Sequence, residues 1–177
     1  VGPGLAHALD EARHIRGVWG SSPPGMDLST AAEAVLALET GTLVHLAAHG
    51  VHEEANPMFS TLRMADGPLF LHELPRPLRA EHVILAACDV GRVKVRHGEE
   101  ALGMSAGLLT LGAHSVLASV APVDDEATGA AMVCYHEQLA AGRSAAKALS
   151  ATIAEHPTAD TFAVYGADWA AEPMDAV

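Results

Sequence analysis

The sequence predicts an α/β protein whose sheet is mostly parallel and covered on both sides. Two short apolar runs, Thr42–Ala48 and His82–Ala87, are rich in Val, Ile and Leu, the pattern of buried parallel strands. Strand-like and helix-like segments alternate along the chain. Each of the two runs also leads into one chemically able residue, His49 after the first and Cys88 after the second. In open parallel sheets functional groups sit just beyond the carboxyl ends of the strands. His49 and Cys88 are therefore expected at one edge, side by side, and a base beside a thiol is how a cysteine nucleophile is made.

The elements follow in order. Val1-Gly2-Pro3 reads as the tail of a strand, and Leu5–Val18 as a helix with Leu5, Leu9, Ala12 and Ile15 on one face. After the loop Ser21–Gly25, Thr30-Ala31-Ala32-Glu33 fits a capping box that opens a second helix, stopped by Gly41. The strand ending at His49 comes next, then a loop over Val51–Ser60 broken by Pro57. Leu62–Phe70 reads as a hairpin turning at Asp66-Gly67. The strand His82–Ala87 leads into a loop, Gly91–Gly98, and a helix, Glu100–Leu111, closed by Gly112. Ser115–Val120 is another buried strand and Pro122–Glu126 an acidic turn. Helices are expected at about Ala127–Ala141 and Ala145–His156, a last strand at Phe162–Tyr165, and a frayed tail from Ala167.

Composition narrows the classes. A chain of 177 residues suffices for one domain with a real core, and with 50% hydrophobic but only 4% aromatic residues that core is aliphatic. No apolar run approaches the roughly 20 residues of a membrane-spanning helix, and the start lacks the features of a signal peptide. The chain begins without Met and is read as a piece of a longer protein. A net charge of −12 argues against nucleic acid and anionic membrane as partners and accommodates a cationic peptide. Two cysteines are too few for a disulfide framework or a Cys-rich zinc site, which points to a reducing, cytoplasmic compartment.

Each candidate has a plain structural alternative. A free cysteine is commonly a small buried hydrophobe, but Cys88 follows its apolar run and precedes the turn Asp89-Val90-Gly91. Cys134, inside a helical pattern, is expected to be buried and inert. His45 and His49 would be paired metal ligands on a helix, whereas on a strand they share a face and lack a third ligand, so no metal is expected there. Gly50 would let a substrate carbonyl approach the backbone and leaves its N–H available.

The order His-then-Cys, together with Val44–Gly50, Asn56-Pro57, Ser60-Thr61-Leu62, Leu85–Gly91, Gly98–Gly103, Leu111-Gly112-Ala113, Val116–Ser119 and Val123–Thr128, resembles the CHAT domain, a bacterial caspase-like cysteine peptidase module related to separase. The resemblance runs directly from His45 to Gly166, and the first helices, with Glu11, fit the upstream region more loosely. Many members carry Trp where this chain has Ala121. The resemblance implies a three-layer α/β/α caspase-like fold with its first strand truncated, in a single domain over 1–177. Within it, 1–41 form an N-terminal helical part, 42–166 the catalytic core and 167–177 a tail.

It further implies a cysteine endopeptidase in which Cys88 attacks the scissile carbonyl to form a thioester and His49 protonates the leaving amine. Backbone N–H groups of Gly50 and Cys88 would form the oxyanion hole. No cofactor is implied; the partners are a protein or peptide substrate and helical-repeat (TPR-type) or other regulatory domains outside the chain. Separase-like relatives bind a basic side chain through an acidic group, and here Asp125, then Asp124, then Asp89 are the candidates. The alternative is that Asp124-Asp125-Glu126 caps the following helix. The competing function is a catalytically silent caspase-like module that serves as a scaffold.

Overall fold

The computed structural model describes residues 1–5, 7–20, 29–51, 53, 56–74, 76–86, 99–121 and 125–172, with backbone alone at 57, 99–102 and 125–127. In chain order the elements are α1 (Ala8–Val18), α2 (Ala31–Thr40), β1 (Leu43–Leu46), β2 (Gly50–Val51), β3 (Thr61–Met64), β4 (Gly67–Phe70), β5 (His82–Leu85), α3 (Glu99–Leu111), β6 (Ser115–Ser119), α4 (Asp125–Ala140), α5 (Ala145–Glu155) and β7 (Phe162–Gly166). The central sheet has the order β1-β5-β6-β7; β1, β5 and β6 are parallel and β7 runs antiparallel to β6. A second, antiparallel sheet has the order β2-β3-β4.

Strand periodicity builds the layers. Val44, Leu46, Val83, Leu85, Val116 and Ala118 face one side, against Leu38 of α2, Leu108 and Leu111 of α3, and the inward side chains of the small sheet. Ile84, Ala86, Leu117 and Phe162 face the other, against Ile15 of α1, Met132, Tyr135 and Leu139 of α4, and Ala148 of α5. The result is the three-layer α/β/α arrangement with a mostly parallel sheet that was expected.

Local chemistry sets several boundaries. The capping box opens α2 as predicted: Thr30 Oγ1 accepts from the Glu33 N–H, and Glu33 Oε2 accepts from the Thr30 N–H. α1 begins at Ala8 instead of Leu5, because Gly4, with φ +89°, turns the chain first. Its buried face is Ala8, Glu11 and Ile15, not the purely apolar stripe expected. The first strand, expected to run to His49, ends at Leu46, and Gly50 with Val51, the start of the expected loop, forms a second short strand paired with Leu62 and Thr61. The hairpin turns at Ala65-Asp66, one residue earlier than expected, and Gly67 (φ +142°) pairs with Met64. Asp66 Oδ1 there accepts from the Ala31 N–H at 2.8 Å, tying the turn to the start of α2.

Residues 167–172 also depart from expectation, being anchored instead of frayed. The Ala167 N–H donates to the His114 carbonyl, and the Trp169 carbonyl accepts from the Ala145 N–H. Trp169 Nε1 donates to Glu81 Oε2, and its ring stacks on His82. Asp168 Oδ1 accepts from the Ala146 N–H, so a residue from after β7 satisfies the start of α5. An indole to bury and helix N–H groups to satisfy are reasons for order that a tail-end position does not reveal.

Gly166 ends β7 at φ +88°, where an added Cβ would collide with the His114 carbonyl oxygen. Gly17, in α1, has nothing within 4 Å of such a Cβ. Gly166→Ala should therefore destabilise by more than the ~1–2 kcal/mol of the left-handed backbone alone, while Gly17→Ala should stabilise by about 0.5–1 kcal/mol. Urea unfolding of both variants checks this contrast in sign.

Candidate active site

β1 and β5 set the geometry of the expected dyad. Leu43 pairs with His82 and Leu46 with Leu85, a constant offset of 39 positions (82 − 43), and the ladder continues with the Ala86 N–H donating to the Leu46 carbonyl. His49 and Cys88 have that same separation (88 − 49), so each stands three positions beyond its paired strand end. Cys88 and Asp89 lie outside the described residues, as does Asp124. Asp125 is the first residue of α4, just after the carboxyl end of β6, with its side chain not described.

His49 sits on a short connection between β1 and β2, half-buried. That connection is held from two sides. The Gly2 N–H donates to the Ala47 carbonyl at 2.7 Å, and the Arg63 N–H donates to the His49 carbonyl at 2.8 Å. The N-terminal segment can lie this close because of its glycines. A Cβ on Gly2 would meet Ala48 Cβ at 2.9 Å, and one on Gly4 would meet His49 Nε2 at 3.2 Å. Gly50 is similarly constrained, a Cβ there reaching 3.1 Å from Met104 Cε of α3.

Beneath the sheet lies a polar chain that the sequence did not reveal as a unit. Trp19 Nε1 donates to His136 Nδ1 at 3.0 Å. His136 Nε2 is 3.0 Å from His45 Nδ1, and His45 Nε2 is 2.9 Å from Glu11 Oε1, at ion-pair distance though poorly angled for a hydrogen bond. The indole N–H fixes the tautomers: His136 Nδ1 accepts, so neutral His136 carries its proton on Nε2 and donates to His45. His45 then carries its own proton on Nε2, facing the carboxylate. His45 thus points into the α1/α4 layer. A Glu in the inward stripe of α1 was the available signal; His136 and Trp19 gave none.

Burial sets the protonation of the neighbouring rings. His136 is held well below the usual imidazole range, first by burial and then by the His45 and His82 rings. His82, whose Nε2 bonds the Tyr135 hydroxyl at 2.9 Å, is lowered to about 4, again mainly by burial. A cavity of about 570 Å³ opens beside this network, lined by Trp19, Leu43, His45, Glu81, His136 and Trp169. It lies at the amino edge of the sheet, where β1 and β5 begin, opposite the edge that bears His49.

A mostly parallel sheet between helical layers, with a histidine at the carboxyl edge of its first paired strand, places the protein in the three-layer α/β/α class. Within that class the chain belongs to the CHAT domain family, whose model matches residues 2–171, and that family is related to the caspase-like peptidases. No curated protein matches the chain. Among the described residues no helix is long and apolar enough to cross a membrane.

The buried histidines make stability depend on pH. The unfolded chain protonates an imidazole near pH 6.5, whereas folded His82 stays neutral down to about pH 4. The native state therefore binds fewer protons in that window, and its stability falls as the pH drops through it. His82 alone should cost about 2 kcal/mol between about pH 8 and about pH 5, with His136 adding in the same direction. Urea midpoints across this range should fall, and His82→Gln should flatten the fall.

Proposed function

We propose that the chain is a cysteine endopeptidase acting through His49 and Cys88. The observation that carries this reading is the register of β1 and β5, which shares its 39-position offset with the two residues. The Cys88 sulfur attacks the scissile carbonyl, and the oxyanion that forms is held by the backbone N–H groups of Gly50 and Cys88. His49 takes the Cys88 thiol proton and gives it to the leaving amine as the C–N bond breaks and the thioester forms. It then takes a proton from the water that hydrolyses the thioester and returns it to the departing Cys88 sulfur. The connection bearing His49 is held by the carbonyl hydrogen bonds of Ala47 and His49, which supports a positioned base. The substrate is a protein, and in this reading the domain is the regulated effector part of a larger cytoplasmic protein.

Cys134 is buried in α4, at 4% exposure, so it lacks the access a reactive thiol needs. Alkylation of the folded protein should modify Cys88 first, and a thiol-reactive peptide should label Cys88 stoichiometrically in a His49-dependent manner. Peptide cleavage should be abolished by Cys88→Ala and by His49→Ala. Equal alkylation of the two cysteines, or turnover that survives Cys88→Ala, would remove the dyad.

Substrate preference is proposed to reside in the acidic residues Asp124 and Asp125. β6 runs parallel to β5, so Asp124 in sequence and Asp125 at the start of α4 follow a strand that ends at the His49 edge. A carboxylate there would favour Arg or Lys before the cleaved bond and repel Asp. Asp125→Ala is expected to lower kcat/KM for an Arg substrate by roughly tenfold or more, since each ~1.4 kcal/mol is tenfold. A fluorogenic panel varied at that one residue tests this; preference for Asp, or Arg preference unchanged in both Asp125→Ala and Asp124→Ala, would exclude the assignment.

A further inference from the structure

On the side of the molecule formed by α4 and α5, Cys134, Glu155 and His156 converge. The Cys134 sulfur, the Glu155 carboxylate and the His156 imidazole each place a ligand atom within 4.8 Å of the others, and Glu155 Oε2 is 3.8 Å from Cys134 Sγ. Consecutive residues in a continuous helix diverge by about 100° and do not share a target. Here α5 ends at Glu155, and His156 leaves the helix at φ −126°, ψ 84°, immediately before Pro157. That break turns both side chains toward the same sulfur. His156 is pinned in place, its N–H donating to the Thr152 carbonyl and its carbonyl accepting from the Ala159 N–H.

We propose that Cys134, Glu155 and His156 form a binding site for zinc. Zinc takes sulfur at about 2.3 Å and nitrogen or oxygen at about 2.0–2.2 Å in tetrahedral geometry, which sets ligand atoms roughly 3.3–3.7 Å apart. The observed sulfur–oxygen spacing of 3.8 Å is close to that, and small side-chain rotations bring in the imidazole. A thiolate, an imidazole and a carboxylate are a donor set for zinc, whereas calcium and magnesium demand oxygen throughout. Three protein ligands leave the fourth position to water, and the site faces solvent through exposed Glu155 and half-exposed His156. Coordination replaces the sulfur's proton by the metal and releases that proton to solvent, so affinity falls with falling pH. The metal would bind the middle of α4 to the end of α5. It would thereby brace residues 157–161, where the Thr161 carbonyl accepts from the Val120 N–H just after β6.

The test uses the full chain carrying Cys88→Ser, which removes the other thiol, and cobalt as the spectroscopic probe. One equivalent of cobalt should give a sulfur-to-metal charge-transfer band that zinc bleaches, and saturating zinc should raise the melting temperature. Cys134→Ser in this background should abolish the band, and His156→Asn and Glu155→Gln should each weaken binding by tenfold or more. These last two changes are nearer the surface and carry the test if the core substitution fails to fold. Absence of the band in the Cys88→Ser protein, or binding unchanged in both His156→Asn and Glu155→Gln, would overturn the site.

Discussion

The parallel pairing of β1 with β5 is the constraint on which the rest depends. Side chains alternate across a strand, so a register fixed at one pair fixes the face of every later residue. Val44, Leu46, Val83 and Leu85 go to the α2/α3 layer, and His45 and Ile84 to the α1/α4 layer. A slip of one residue would drive His45 and His82 into the aliphatic layer and turn Val44 and Val83 toward the polar chain. The pairing is thus defended from both faces, and the same register carries the chain forward to His49 and toward Cys88. What positions the proposed chemistry is therefore the burial pattern of residues that take no part in it.

The polar chain under the sheet sharpens that specification at some cost. Glu11 is 3% and His45 11% exposed at the side chain, so both give up most of their hydration. Buried polar groups recover this desolvation only where each finds its partner, so an arrangement that separates them is penalised. Removing any member leaves the next without its partner: without the Trp19 N–H, His136 has no donor to fix its tautomer, and without His45 the Glu11 carboxylate is stranded. α1, β1 and α4 are far apart in sequence, and this chain requires all three in one arrangement. His82 acts similarly nearby, its Nε2 bonded to the Tyr135 hydroxyl and its face stacked on the Trp169 indole.

The layered class was legible because short Val/Ile/Leu runs separated by helical stretches admit few other solutions, and the capping box at Thr30 was legible because its chemistry is local. The edge that carries His49 was legible for the same reason: strand ends are visible as the ends of apolar runs. The partners of His45 were not. Glu11 and His136 lie 34 positions before and 91 after it, and no local pattern joins residues brought together only by packing α1 and α4 on one face. The order of residues 167–172 was missed because its cause, burial of the Trp169 ring against His82, depends on a strand more than 80 positions earlier. The hairpin turn was displaced for a tertiary reason too, since Asp66 is engaged by the start of α2.

The two cysteines show how one side-chain type is given different chemistry by position. Cys134 is buried within α4, where its sulfur touches the Gln138 amide and the Glu155 carboxylate. The nearness of that carboxylate to the sulfur is what a cation would exploit. In the sequence Cys88 follows the end of the β5 run instead, as His49, on a connection tied down by Gly2 and Arg63, follows that of β1. For Cys134 the surroundings follow from the fold: a helix packed on its neighbour presents the sulfur to that neighbour's side chains, here Glu155 of α5.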